Sequence, residues 1–176
     1  MKKVITIGGS TSRNSINKKL AEYAGDQLKT VNLIKVDLND YEMPLFSIDI
    51  ENEEGFPTSA IEFNSLIDKA DGFIISLAEH NGAYSAAFKN SFDWLSRIDG
   101  KVWRNKPMLL LSTSPGGRGG QSVMELALSR FPHNGGKIIG NMTFPSFNDN
   151  FQHGEIIDPQ LKENLLLQVK NFEKAL

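Results

Sequence analysis

The sequence predicts an α/β fold: a doubly wound, five-stranded parallel sheet with helices on both faces. Three observations carry this. Short apolar runs recur at residues 4–7, 31–36, 72–77, 108–112 and 137–139 of the 176-residue chain. These runs are continuously apolar rather than alternating, as expected of strands covered on both faces. Helix-patterned segments separate them, so strand and helix alternate along the chain.

The elements follow in order. The first run leads through G-G-S-T-S-R-N-S-I-N (residues 8–17) into a helix marked by Ile16, Leu20, Ala24 and Leu28. After the second run comes the longest irregular stretch, residues 39–57, carrying Asp49, Glu51, Glu53 and Glu54. A solvated loop is favoured there over an acidic site. Ile61, Leu66 and Ile67 mark a helix over 58–70, before the third run. The loop A-E-H-N-G-A-Y-S (78–85) precedes a helix with Tyr84, Phe88, Phe92 and Leu95 on one stripe. The fourth run ends in S-T-S-P-G-G-R-G-G-Q (112–121), followed by a helix through Val123, Ala127 and Phe131. Leu161, Leu165, Val169 and Phe172 mark the closing helix. No linker or internal repeat interrupts this order, so residues 1–176 are read as one domain.

Composition narrows the function. A net charge of -2 with a pI near 5.9 gives no electrostatic footprint for nucleic acid or an anionic membrane. The absence of cysteine excludes disulfides, thiolate metal sites and cysteine nucleophiles. No signal-peptide pattern and no membrane-length apolar run is present, so the expectation is a soluble cytoplasmic protein.

The loops after the first, third and fourth runs carry the chemistry. In a doubly wound sheet all three leave the carboxyl ends of strands, where ligands bind. The first joins unpaired N–H groups at a helix start to the hydroxyls of Ser10, Thr11, Ser12 and Ser15 and the charge of Arg13, which makes an anion site. The other two offer Asn81, small residues and glycines, which let backbone approach a flat heterocycle closely. Structural readings stand beside these. Ser15 is a natural helix N-cap, and Asn81-Gly82 is a natural turn pair. His80 alone reads as a packing or surface residue, and His133 and His153 as loop residues. Arg118, among four glycines, reads as either a solvated side chain or a cofactor contact.

The first loop lacks the G-x-G-x-x-G spacing of a dinucleotide fingerprint and the Gly-Lys-Ser/Thr of a P-loop. No acidic pocket follows the first run. A mononucleotide remains, its single phosphate at the first helix and its ring at the other two loops. FMN fits this on a doubly wound sheet.

The same residues resemble the NADPH-dependent FMN reductases, a flavodoxin-like family with bacterial quinone, chromate and azo-dye reductases among its members. Gly9, Ser10, Ser15 and Asn17 fall in register with the family's G-S-x-R-x-x-S-x-N loop. Glu79, Asn81 and Gly82, then Lys89, Asn90, Asp93 and Trp94, match P-E-Y-N-x-S/G and K-N-x-x-D-W. Ser112, Ser114, Gly116, Gly117 and Gly120 match the third, glycine-rich loop. Departures are equally specific: Ser12 stands where the family has arginine, with Arg13 one place later, and Ala78 and His80 replace a proline and a tyrosine.

The resemblance implies a flavodoxin-like sheet of order 2-1-3-4-5. It implies that Ser10, Ser12, Arg13, Ser15, Ile16 and Asn17 hold the phosphate end of FMN. Glu79, His80, Asn81 and Gly82 would line the ring, with Ser112, Ser114, Gly116 and Gly117 at its other edge. The implied activity passes hydride from NAD(P)H through FMN to a small acceptor: a flavin, quinone, azo compound or metal oxyanion. A flavodoxin-like electron carrier is the alternative, but such carriers are strongly acidic. A homodimer or homotetramer is implied, with Phe88, Phe92 and Trp94 on a candidate interface helix, although core filling is the favoured reading of Phe88 and Phe92.

Overall fold

The computed structural model describes residues 1–176. Five parallel strands form the sheet: β1 (Lys2–Gly9), β2 (Val31–Val36), β3 (Gly72–His80), β4 (Lys106–Thr113) and β5 (Gly136–Phe144). Their spatial order is 2-1-3-4-5, the expected one. A two-residue strand, Ala83–Tyr84, folds back antiparallel on the end of β3 and adds a sixth member. The helices are α1 (Ile16–Asp26), α2 (Ile48–Glu54), α3 (Thr58–Lys69), α4 (Ala86–Ile98), α5 (Gln121–Arg130) and α6 (Pro159–Ala175).

Period-two alternation divides the strand residues between two cores. Ile5, Ile7, Phe73, Ile75, Met108 and Leu110 face α3, α4 and α5, where Phe63, Phe88, Phe92, Trp103 and Phe131 complete the larger cluster. Val4, Ile74, Leu109 and Leu111 face α1 and α6, packing with Leu20, Ala24, Leu165 and Phe172. Both faces of the sheet are therefore apolar, which is why the strands read as unbroken runs. The fifth run was read too short. Gly140 and Asn141 break its apolar pattern, yet β5 continues to Phe144 as an edge strand with an irregular register opposite Met108 and Leu109.

Residues 39–57, read as irregular, contain a 3-10 turn over Leu38–Tyr41 and the short helix α2. No residue of α2 is buried, so apolar periodicity could not reveal it. The segment is held instead by polar groups of α4. Phe46 N–H donates to Asn90 Oδ1 at 2.8 Å, and Asn90 Nδ2 donates to the carbonyls of Pro44 and Met43 at 3.0 and 3.3 Å. Trp94 Nε1 also donates to the Pro44 carbonyl, at 2.8 Å, and Phe46 packs edge-on against the Trp94 ring. Glu51, one of the acidic residues of this stretch, accepts two bonds from Arg97 at 2.7 and 2.9 Å. That guanidinium holds the Glu51 carboxyl below the usual carboxylate range.

The K-N-x-x-D-W pattern on α4 is thus a clamp. Its Trp94, like Phe88 and Phe92, is buried within the chain. These rings fill the core and do not present an interface. No helix is long and apolar enough to cross a membrane.

Losing the clamp should cost stability without changing the core. Trp94→Phe removes one hydrogen bond and should cost about 1 kcal/mol. Asn90→Ala removes three and should cost about 2–3 kcal/mol, read from the urea midpoint at constant slope.

Candidate functional site at the carboxyl edge of the sheet

Gly8 and Gly9 end β1 between β2 and β3. A Cβ on Gly8 would lie 2.5 Å from the Lys18 Cα. Only glycine lets the start of α1 approach the strand this closely. Ser15 caps α1 by accepting from the Lys18 N–H at 3.1 Å. The turn before it is self-bonded: Ser12 N–H donates to Ser10 Oγ at 3.1 Å and Ser15 N–H to the Ser12 carbonyl at 3.0 Å. The backbone N–H groups of Asn14, Ile16 and Asn17 have no acceptor within the chain. They form the open anion-receptive end of the helix.

Asn17 ties this turn to the rest of the edge. It is 2 % exposed. Its Nδ2 donates to the Thr113 carbonyl at 3.1 Å. Its Oδ1 accepts from Ser76 Oγ at 2.7 Å and from the Thr113 N–H at 3.0 Å. Thr113 Oγ1 in turn donates to the Phe144 carbonyl at 2.6 Å. One side-chain amide thereby joins α1 to β3 and β4, and through Thr113 to β5. A second tie comes from Ser85, whose hydroxyl donates to the Gly9 carbonyl at 2.7 Å and caps α4 through Phe88 N–H.

The second loop is a two-residue hairpin. Asn81 and Gly82 have φ of 52° and 77°. Both lie in the left-handed region that such a turn requires, and Asn-Gly is the pair that adopts it most readily. Across the hairpin Glu79 pairs with Tyr84 and His80 with Ala83. Directly opposed residues share a face, so the two pairs point to opposite sides. Tyr84 turns to the aromatic core, stacking on Phe131. Glu79 accepts the Val123 N–H at 3.0 Å and so caps α5, whose own cap residue, Gly120, has no side chain. His80 lies on the other side and lines the cleft.

The third loop is pinned from within. Ser112, fully buried, donates to the Gly119 carbonyl at 2.9 Å. The Gly116 carbonyl accepts from Gly119 N–H at 3.2 Å and from Ser146 N–H at 3.0 Å. Gly119 has φ of 59°, and a Cβ there would lie 2.8 Å from the Phe144 carbonyl carbon. At Gly117 an added Cβ meets nothing within 4 Å, so the space above it is open. Arg118 contacts only the Ser122 hydroxyl, at 3.3 Å.

The three loops enclose a shallow cleft of about 250 Å³. Of the expected site residues, Ser10, Ser12, Ser15, Ile16, Asn17, Glu79, His80 and Ser114 line it. Asn81, Gly82, Gly116 and Gly117 are not in its wall but follow lining residues in the chain; of these, Asn81, Gly82, Gly116 and Gly117 are all exposed. Ser112 is buried behind the loop and Arg13 is exposed outside the wall. Asn14, Ala78, Thr113 and Pro115 also line the cleft and were missed. Asn14 sits in the tight turn closed by the Ser15 N–H on the Ser12 carbonyl, and no local sequence pattern marks its side chain. A separate hollow of about 320 Å³ lies between Thr11, Leu38, Tyr41, Met43 and Asn90, and includes no residue of the second or third loop.

A doubly wound sheet with a receptive turn after its first strand and two further loops on the same edge defines a mononucleotide-binding class of protein. The profile of the family described as NADPH-dependent FMN reductase matches residues 2–150, and the chain belongs to that family. It is 28% identical over 183 residues to a quinone reductase of Escherichia coli strain K12, covering 96% of this chain and 92% of that protein. It is 30% identical over 122 residues to an NADPH azoreductase of Bacillus sp. strain OY1-2, covering 69% and 64% respectively. In three dimensions it matches FerB, a flavoenzyme NAD(P)H:(acceptor) oxidoreductase from Paracoccus denitrificans, with a TM-score of 0.79 at 22% identity over 99% and 97% of the two chains. The protein is accordingly an NAD(P)H-dependent flavin oxidoreductase whose cofactor is FMN.

Two variants test this construction. Asn17→Ala leaves the Ser76 hydroxyl and Thr113 backbone without partners and should cost about 3 kcal/mol. Tyr84→Phe should cost nothing at neutral pH, because the buried Tyr84 hydroxyl has no hydrogen-bond partner. Burial pushes the Tyr84 phenol up to about 12, against an opposing pull from Arg130. A phenol raised in the folded state contributes stability that is fully present below its unfolded value of about 10 and lost as pH rises through the folded value. Stability measured from pH 8 to 12 should therefore fall less in Tyr84→Phe than in the parent.

Proposed function

We propose that the cleft binds FMN with its phosphate at the start of α1 and its ring across the hairpin and the third loop. The observation that carries this is the convergence of the three loops on one edge, with N–H groups that find no acceptor inside the chain. The fit is chemical as well as positional. Asn14, Ile16 and Asn17 offer free backbone donors beside the hydroxyls of Ser10, Ser12 and Ser15. Gly116 and Gly117 also have free N–H groups, with open space above Gly117.

Bound FMN supplies two-electron hydride chemistry, from NAD(P)H to an acceptor. The chain's own part is to hold and tune. The α1 terminus fixes the phosphate, and the hairpin presents His80 and the Asn81-Gly82 backbone toward the ring. The free N–H groups of Gly116 and Gly117 would supply fixed donors for negative charge at the ring edge. No acid–base side-chain pair is needed for this task. The shallow cleft suits a flat acceptor that takes the donor's place, so a quinone or azo compound is the favoured class. The relatives named for those reactions support it. A charge of -2 gives little electrostatic steering to a protein partner, which disfavours a pure electron carrier.

A cytoplasmic homodimer or homotetramer completes the reading. Its support has moved from the α4 rings to the segment that α4 clamps. There Leu45 and Ile48 are 79% and 49% exposed, large apolar side chains on a surface rather than in the core.

The purified protein should quench FMN fluorescence and turn yellow. NADPH should bleach it anaerobically, and a quinone should restore the colour with many turnovers. Absence of FMN binding would contradict the site. Bleaching that no small acceptor reverses would indicate a carrier.

A further inference from the structure

We infer that the FMN phosphate is held here by neutral donors alone, with Asn14 in the cradle and Arg13 outside it. This rests on the FMN reading above and goes beyond it by assigning a residue and a mode of recognition. The sequence places Ser12 where an arginine is expected and Arg13 one position later. The structure shows what that shift does. Ser10, Ser12 and Asn14 line the cleft, whereas Thr11 and Arg13 do not. Thr11 instead faces the neighbouring hollow, where Asn39 Nδ2 donates to its carbonyl at 3.1 Å. Residues 12–15 form a tight turn closed by the Ser15 N–H on the Ser12 carbonyl, with Arg13 exposed outside the cleft wall and the Asn14 amide in it.

No lysine or arginine lines the cleft. Lys18, one turn into α1, is ion-paired with Asp37. Lys19 faces a different hollow, beside Glu22 and Tyr23. The remaining ionisable side chains of the cleft are Glu79, engaged on the α5 terminus, and His80, on the hairpin. What is left to meet a phosphate is the free N–H groups of Asn14, Ile16 and Asn17, the serine hydroxyls and the Asn14 amide. A helix start with several such donors is sufficient to bind a phosphate dianion without a side-chain cation.

The consequence concerns salt. A phosphate neutralised by an exposed guanidinium loses affinity as ionic strength rises, because the Debye length falls from about 30 Å at 0.01 M to about 3 Å at 1 M. Short hydrogen bonds to fixed donors are far less screened.

The experiment is a fluorescence titration of FMN and of riboflavin, which lacks the phosphate, between 20 and 500 mM salt, as conditions of roughly the span over which screening acts. It uses the full chain, R13A and N14A. The expected result is FMN affinity that changes less than about twofold with salt, is unchanged in R13A, and falls about tenfold in N14A, with riboflavin unaffected. Both Arg13 and Asn14 are exposed, so neither variant threatens the fold. FMN affinity that falls steeply with salt and weakens in R13A would overturn the neutral cradle while leaving the FMN site intact. So would N14A binding FMN like the parent. If the parent binds neither flavin, the FMN reading itself fails and the inference with it.

Discussion

The buried amide of Asn17 is the interaction on which the functional edge depends. Strand ends in a doubly wound sheet diverge, and their loops have no common support. Here one side chain on α1 accepts from Ser76 in the middle of β3 and both donates to and accepts from the backbone of Thr113 at the end of β4. The first and third loops are thereby set at a fixed separation, and Ser85, donating to the Gly9 carbonyl, adds the second. The amide is fully suited to this, since it offers both donors and acceptors at one atom cluster. The same engagement means that Asn17 serves the site through its backbone N–H and its scaffolding, not through a free side chain.

The other ties follow the same logic. Glu79 caps α5 from a different loop, and Ser85 caps α4 while holding the Gly9 carbonyl. Each of these groups closes a helix end and fixes a loop in one contact. The result is a cleft whose walls are rigid backbone, with few side chains that act chemically. That suits a protein whose reaction belongs to its cofactor, because fixed dipoles stabilise charge without reorganisation.

Much of this was legible in the sequence, for identifiable reasons. Both faces of the sheet are covered, so the strands appeared as apolar runs, the fifth of them truncated, and five helices declared themselves by apolar spacing. The three loops were legible because hydroxyls, glycines and an Asn-Gly pair after strands have few structural equivalents. What was not legible has a common cause. α2 buries nothing and is held by Asn90, Trp94 and Arg97 from another helix, so no local pattern marks it. Glu79 and Ser112 read as ring contacts, yet their side chains hold α5 and the third loop. Trp94 read as an interface residue but is core. Except for Ser112, whose partner Gly119 is seven residues on, the side chain's partner lies far away in sequence, and only the fold brings the two together. The displaced Arg13 is the exception, since its departure was visible in the sequence as a one-residue shift.

The most direct test is an amide-resolved NMR titration of the protein with FMN. If Asn17 and Ser85 assemble the three loops into one mononucleotide site, the backbone N–H signals of Asn14, Ile16 and Asn17 should shift together with those of His80 to Gly82 and of Gly116 and Gly117, at one common midpoint. Signals around the hollow beside Tyr41 and Met43 should stay in place. Shifts confined to a single loop, or centred on that second hollow, would contradict it.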